Sequence, residues 1–402
     1  MTLRILLGDL LVGHLERQEH GRTVFRFDEA YLKLPERPVL GRWFEDHLEP
    51  SFEYAERGSR LPPFFQNYLP EEHSPLRGLL THRAGVRPHR ELPLLAALGA
   101  DLPGAIIVQA EDQSLPGAGV RDSVPASLQP VEQPLRFSLA GMQLKFSVVE
   151  HQSRFMLPAT GEGGNWIAKL PNRRLPDLPA NEFSILSWAR ETGIQLPEFK
   201  LVEIADIDGL PSDLRLNERR ALLIRRFDRG ADGERIHQED FAQVLDVRAA
   251  KKYEGAGYAT LAKIILTVCG EADYYELVRR LVFVVLSGNA DAHLKNWSLI
   301  YPDGRHPRLS PAYDLVCTLA YGKRLDPNLG LKLLGQRDFD RITRTHFERL
   351  AEKIGASPER TGEIVAETAE RARDAWQRIS SALPIDPHAR EALDSHLNFI
   401  QI

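Results

Sequence analysis

The densest apolar stretch of the chain, Leu281–Leu286, runs directly into a polar segment, Ser287-Gly-Asn-Ala-Asp-Ala-His-Leu-Lys-Asn-Trp297, and that segment runs into a second apolar piece, Trp297–Ile300. No other feature constrains the fold as much. Asp273–Leu286 carries apolar residues at three- and four-residue spacing and predicts a helix, whereas Trp297–Ile300 predicts a strand. Both belong in a core, so the polar segment is held at the core's edge. A turn from helix to strand needs no Asp, His, Lys and Asn together. Either these side chains close the turn as Asx-type caps, or they are kept there for chemistry.

Around this segment the 402 residues divide into three regions, a length suited to two or three domains. In residues 1–110, Leu10–Leu15 and Thr23–Phe27 predict strands around a polar turn at Glu19–Arg22, and Leu76–His82 and Glu91–Leu98 predict short helices. Residues 111–134 are rich in Pro, Gly and Ser and predict a linker. Residues 135–245 are strand-rich. Phe146–Val149 and Trp166–Lys169 flank a Gly-rich turn, Thr160–Gly164, and Phe199–Ile204 and Ala221–Arg226 predict two more strands. Asn181–Arg190 predicts a helix stopped by Gly193. Residues 246–402 are mostly helical, with helices expected over Leu261–Val268, Asp273–Leu286, Thr345–Ile354 and Pro358–Ser381. The expected class is α+β: an N-terminal subdomain, a small β-rich lobe and a larger helical lobe, the order of elements in a protein-kinase-like two-lobe fold.

Composition excludes some functions. With 51 basic against 56 acidic residues, a net charge of −5 argues against a chain built mainly to bind nucleic acid. Cys269 and Cys317 lie in apolar surroundings and are expected to be buried free thiols, which fits a reducing cytoplasm. The N-terminus reaches an acid at Asp9 and is no signal peptide. Leu281–Leu286 is far too short to span a bilayer, so no membrane role is expected.

Several motifs join the polar segment. Asp291 followed five residues later by Asn296 has the spacing of a protein-kinase catalytic loop, in which the Asp takes the proton of the attacking hydroxyl and the Asn holds a metal ion. Asp314 follows 18 residues after Asn296 in Ser310-Pro-Ala-Tyr-Asp-Leu-Val316, where a carboxylate can chelate Mg²⁺ between phosphates. Lys169 ends an apolar strand, and Glu182 begins the next helix as its natural partner. Read singly, Asp314 is equally a cap, and Lys169 and Glu182 equally a surface lysine and a first-turn acid. Ser138-Leu-Ala-Gly-Met-Gln-Leu-Lys145 is a Gly-containing turn whose backbone could meet phosphate, though an ordinary turn reads the same.

These motifs, in order, resemble the HipA-like serine/threonine kinase toxins of type II toxin–antitoxin systems. The resemblance rests on the Ser138–Lys145 loop, Ile167-Ala-Lys-Leu-Pro171 with Asn181-Glu182, Arg226-Phe-Asp-Arg229, Gln238-Glu-Asp-Phe-Ala-Gln243, Lys252-Tyr-Glu254, Asn289–Asn296 and Pro311–Asp314. It implies ATP and Mg²⁺ as cofactors, Asp291 as catalytic acid with His293 and Lys295 lining its loop, and Asn296 and Asp314 as metal ligands. It further implies Lys169 on the ATP phosphates with Glu182 beside it, Ile224, Arg225 and Phe227 as the hinge that meets adenine, Gly141 and Gln143 in the phosphate loop, and Ser138 as an autophosphorylation site. Met142, Leu144 and Arg225 stand where the family usually has Ala, Glu and Glu. The implied partners are a small helix-turn-helix antitoxin (HipB-like), a protein substrate such as an aminoacyl-tRNA synthetase, and operator DNA only through the antitoxin complex. The competing expectations are a catalytically idle co-repressor and a small-molecule kinase with the same loop logic.

Overall fold

The computed structural model describes residues 1–18, 21–48, 52–58, 60–72, 74–111, 143–151, 154–157, 163–211, 214, 216–324 and 326–402. Ser138, Gly141 and Met142, the expected linker beyond residue 111, and residues 160–162 of the Gly-rich turn lie outside the described residues.

The N-terminal unit is a sheet of five antiparallel strands: β1 (Thr2–Leu7), β2 (Leu10–Arg17), β3 (Thr23–Phe27), β4 (Tyr54–Glu56) and β5 (Ile106–Ala110), in the order β4-β3-β2-β1-β5. Alternation along the strands sends Leu3, Ile5, Leu15 and Phe25 to one face, and the register shift between Ile5 and Leu6 lets Val12 join them. There they pack with Leu76 and Leu80 of the Pro75–Ala84 helix and Leu92, Leu95 and Leu98 of the Glu91–Leu98 helix. β1 and β5 were not expected; β5 becomes a strand through its register with β1, Leu3 opposite Ala110 and Leu7 opposite Ile106.

The second sheet contains β6 (Lys145–His151), β7 (Arg154–Met156), β8 (Trp166–Lys169), β9 (Phe199–Glu203), β10 (Ile207–Asp208) and β11 (Arg220–Arg225), in the order β10-β7-β6-β8-β11-β9. Phe146, Val148, Trp166, Ala168 and Leu223 form its small core. The Leu178–Thr192 helix packs on β11 and β9 and reaches the helical lobe, where Trp188 lies against Phe283 and Trp376. That lobe is built on the Glu271–Leu286 helix, buried from Leu281 to Leu286, with the Tyr258–Val268, Arg344–Ile354, Pro358–Ile379 and Pro387–Phe399 helices around it. A third sheet, β12 (His237–Asp240), β13 (Ser298–Tyr301) and β14 (Arg308–Leu309), in that order, lies beside it. The fold is α+β. Among the described residues no helix is long and apolar enough to cross a membrane. Cys317 is buried, but Cys269 is only half-buried, and burial pushes its thiol up to about 12.

A buried ionic cluster joins the N-terminal unit to the strand sheet. Asp101 accepts from Arg226 at 2.6 Å and from Arg229 at 2.8 Å. Asp228 pairs with the same two arginines at 2.9 and 3.0 Å and accepts the Gly104 N–H at 2.7 Å. Both guanidinium groups also donate to the Leu102 carbonyl. Burial alone would push the Asp228 carboxyl up; Arg226 and Arg229 outweigh it and hold it down at about 2. Its contribution to stability is therefore complete above the usual Asp range and is lost as pH falls towards 2. Asp228→Ala would leave two buried guanidinium groups with one carboxylate between them. We expect a loss of about 3–5 kcal/mol of unfolding free energy in urea titration. A change below about 1 kcal/mol would show that the cluster does not join the two parts.

Candidate active site

The polar segment leaves the buried helix through a tight C-terminal cap. Gly288, at φ 61°, donates to the Val285 carbonyl at 3.2 Å, and Asn289 donates to Val284 at 3.0 Å, a Schellman arrangement that needs the left-handed backbone glycine favours. Thr318 then fixes the turn: its hydroxyl donates to the Gly288 carbonyl at 2.6 Å and accepts the Ala290 N–H at 2.9 Å. The side chain of Asn289 bridges two loops. Its Oδ1 accepts the Asp291 N–H at 3.1 Å, and its Nδ2 donates to the Asp314 carbonyl at 3.3 Å. Asp314 has φ 54°, a conformation uncommon for a residue with a Cβ and of the kind found at strained functional positions.

The strand sheet contributes from the other side. Lys145 and Lys169 are directly opposite in the β6–β8 register, so both side chains leave the same face. Lys169 is buried and donates to both Glu182 and Asp314. Lys145 reaches the second oxygen of Asp314 at 3.4 Å, and Asn296 Nδ2 donates to that oxygen at 3.2 Å. Glu182 and Asp314 are brought together through Asn181, whose Oδ1 accepts the Cys317 N–H and whose Nδ2 donates to the Cys317 carbonyl, each at 2.9 Å.

One cleft gathers Gln143, Lys145, Lys169, Glu182, Ile224, Arg225, Phe227, Asp291, His293, Lys295, Asn296 and Asp314. Every expected site residue within the described part of the chain is among them. Gln143 donates to the Leu170 carbonyl at 2.7 Å and holds the strand end. The N–H groups of Arg225 and Arg226 are already bonded to the carbonyls of Glu198 and Asn165. Lys295 lines the cleft, but its ammonium donates to Asp240 at 2.6 Å and to Asn67 Oδ1 and carbonyl at 2.9 and 3.0 Å. An ammonium has three donors, so this lysine is fully engaged in joining the Asp291–Asn296 segment to the N-terminal unit. Asn67, Asn289 and Thr318 were not anticipated.

The two acids sit in opposite electrostatic settings. Burial works against a charge on Asp314, but Lys145 and Lys169 outweigh it and hold its carboxyl well below the usual range. Burial also opposes charge on Lys169; Asp314 and Glu182 overcome that, and the ammonium stays charged. Burial pushes the Asp291 carboxyl up, only partly offset by Lys252 and Tyr253. Burial pushes His293 down, leaving a neutral ring. A raised acid beside a depressed one is the pattern of a proton acceptor next to a permanent anion.

Asn296 Oδ1 is buried without a hydrogen-bond partner among the described residues, next to the Asp314 carboxylate. No group of three or more His, Cys, Asp or Glu side chains able to hold a metal occurs among the described residues. One free amide oxygen and one permanent carboxylate suit a hard cation that brings phosphate and water oxygens of its own, and the pair fits Mg²⁺ in that sense.

Comparison with known proteins places the chain in a family. Residues 137–376 match the family model of the HipA-like C-terminal domain, and residues 3–109 match that of the HipA N-terminal domain. Y4dM of Sinorhizobium fredii, whose name provisionally calls it a kinase, is 38% identical over 97% of this chain and 95% of its own length. The serine/threonine-protein kinase toxin HipA of Shewanella oneidensis is 27% identical over 80% of this chain and 76% of its own length. A chain of the solved complex of Shewanella oneidensis HipA, HipB and operator DNA superposes with a TM-score of 0.73 at 21% identity, covering 98% of this chain and 95% of that one, which shows a shared fold.

The electrostatic contrast can be read directly. In carboxyl-carbon NMR of Asp-labelled protein, assigned with Asp291→Asn and Asp314→Asn, Asp291 should titrate above the ordinary midpoint of about 3.9 and Asp314 below it. The reverse order would show that burial does not dominate at Asp291.

Proposed function

The chain belongs to the HipA-like kinase toxin family, and from that premise we propose that it is an ATP·Mg²⁺-dependent serine/threonine protein kinase acting as the toxin of a toxin–antitoxin pair. The observation that carries the reading is the convergence of Lys169, Glu182, Asp314, Asn296 and Asp291 in one cleft, drawn from both lobes. ATP would enter with adenine against Ile224–Phe227. Because the Arg225 and Arg226 N–H groups are taken, backbone recognition would fall to Phe227 and the carbonyls of this stretch. Lys169, held charged by Glu182, would grip the phosphates, with Gln143 alongside. Asp314 and Asn296 would hold Mg²⁺, which when bound neutralises phosphate charge and orients the γ-phosphoryl group. Asp291 would align a serine or threonine hydroxyl and accept its proton as the oxygen attacks the γ-phosphorus. Positioning and charge neutralisation account for most of the rate in such a site. The neutral ring of His293 would shape the loop, and Lys295 would hold it.

The family supports a translation component such as an aminoacyl-tRNA synthetase as the substrate, and a small HipB-like helix-turn-helix antitoxin as the partner. The net charge of −5 supports operator contact through that antitoxin rather than by this chain alone. Self-phosphorylation at Ser138 would add about −1.5 to −2 charge, which would compete with ATP phosphates for Lys145 and Lys169.

Incubation with labelled ATP·Mg²⁺ and a cell lysate tests the reading. The protein should label a discrete lysate protein and its own Ser138, identified by mass spectrometry. Asp291→Asn should lower both by at least about 10² while leaving nucleotide binding intact. Labelling that survives in folded Asp291→Asn would remove this residue from the chemistry. In calorimetry, Asp314→Ala should abolish the gain in ATP affinity that Mg²⁺ gives the wild type; equal Mg²⁺ dependence in both proteins would rule out Asp314 as a metal ligand.

A further inference from the structure

We propose that Tyr253 is a gate on Asp291, its hydroxyl occupying the position of an acceptor hydroxyl so that water cannot use the same carboxylate. This rests on the kinase reading above and adds a positioning residue to it.

The Tyr253 hydroxyl donates to Asp291 Oδ1. Among the described residues it is the hydrogen-bond donor this carboxylate has. The backbone around Tyr253 is fastened to the catalytic loop: the Lys252 carbonyl accepts the Leu294 N–H at 3.1 Å, and the Lys252 ammonium donates to Glu71 at 2.7 Å. The ring stands edge-on to His293, with centroids 5.0 Å apart. The side chain is not part of a core, however: Tyr253 is 44% exposed, among the most open large residues of the chain. A fixed backbone with a half-exposed ring describes a side chain that can swing away and return to one place.

Packing gives no reason for the hydroxyl, since phenylalanine would cover His293 equally well. Its effect is on Asp291. One oxygen of the carboxylate that would receive the proton, Oδ1, is already bonded to a donor of the same kind as the acceptor, a hydroxyl. A nucleophile that comes to Oδ1 must displace it. A docked protein segment has binding energy to spend on that displacement, and a single water molecule does not, which is the logic of induced-fit selection. The reaction held back is hydrolysis. In it the water oxygen bonds to the γ-phosphorus, the bond to the β,γ-bridging oxygen breaks with its electron pair leaving on ADP, and Asp291 takes the water proton and returns it to solvent. The products are ADP, phosphate and one proton.

The test measures ADP release from ATP·Mg²⁺ without protein acceptor, and lysate labelling in parallel, for the full chain, Tyr253→Phe, Tyr253→Leu and Tyr253→Phe/Asp291→Asn. Loss of a hydrogen bond to a charged group should raise acceptor-independent hydrolysis at least about threefold in both single variants. Lysate labelling should persist in them, and the double variant should lose hydrolysis. Hydrolysis unchanged or lowered in both single variants, with wild-type labelling intact, overturns the gate and leaves the kinase reading standing. An absence of labelling and hydrolysis in the wild type and the single variants alike overturns both.

Discussion

The site depends on one ammonium group shared by two carboxylates. Lys169 comes from the strand sheet, Glu182 from the helix that follows it, and Asp314 from the loop after the catalytic segment. Each alone would be a costly buried charge; together they satisfy one another. Because Asp314 lies 145 residues beyond Lys169, the shared proton donor is what registers the strand lobe against the helical lobe. The same contact helps hold Asp314 ionised, beside an Asn296 Oδ1 that has no hydrogen-bond partner among the described residues.

The N-terminal unit is built into this arrangement at two places. The Asp101–Arg226–Asp228–Arg229 cluster joins it next to the Ile224–Phe227 stretch, and Asn67 joins it to Lys295 of the Asp291–Asn296 segment. Arg226 and Asp228 are thus read differently with the structure in hand. They line the cleft on either side of Phe227, and their side chains also bond Asp101 and the Gly104 N–H of the other unit. The Gln238–Gln243 segment has the same character: Asp240 and Gln243 form a capping box, and Gln243 also donates to the Phe64 carbonyl at 3.1 Å.

Much of this was legible in the amino-acid order, for physical reasons. Asp291 and Asn296 lie on one short segment whose flanks are strongly apolar, and Lys169 ends a clear β-run, so local spacing revealed them. The strand Trp166–Lys169 and the helix Glu91–Leu98 have the bounds that pattern alone suggests. What escaped were contacts made across long separations. Nothing near Asn67 hints that it will meet Lys295, 228 residues away, and the engagement of all three Lys295 donors could not be foreseen from its place in the loop. β5 depends on a partner at the opposite end of its unit. The Pro387–Phe399 helix carries only sparse apolar positions, although Asp386 followed by Pro387 is a start signal that would have located it.

Asn181 grips both the N–H and the carbonyl of Cys317 from the helix that carries Glu182. An inhibitor that needs the aspartate loop thrown outward, opening a pocket behind it, would have to leave those buried groups unpaired, at about 1–3 kcal/mol each. A ligand of this cleft therefore has to fit the loop where it lies, in the front of the cleft, instead of stabilising a displaced state.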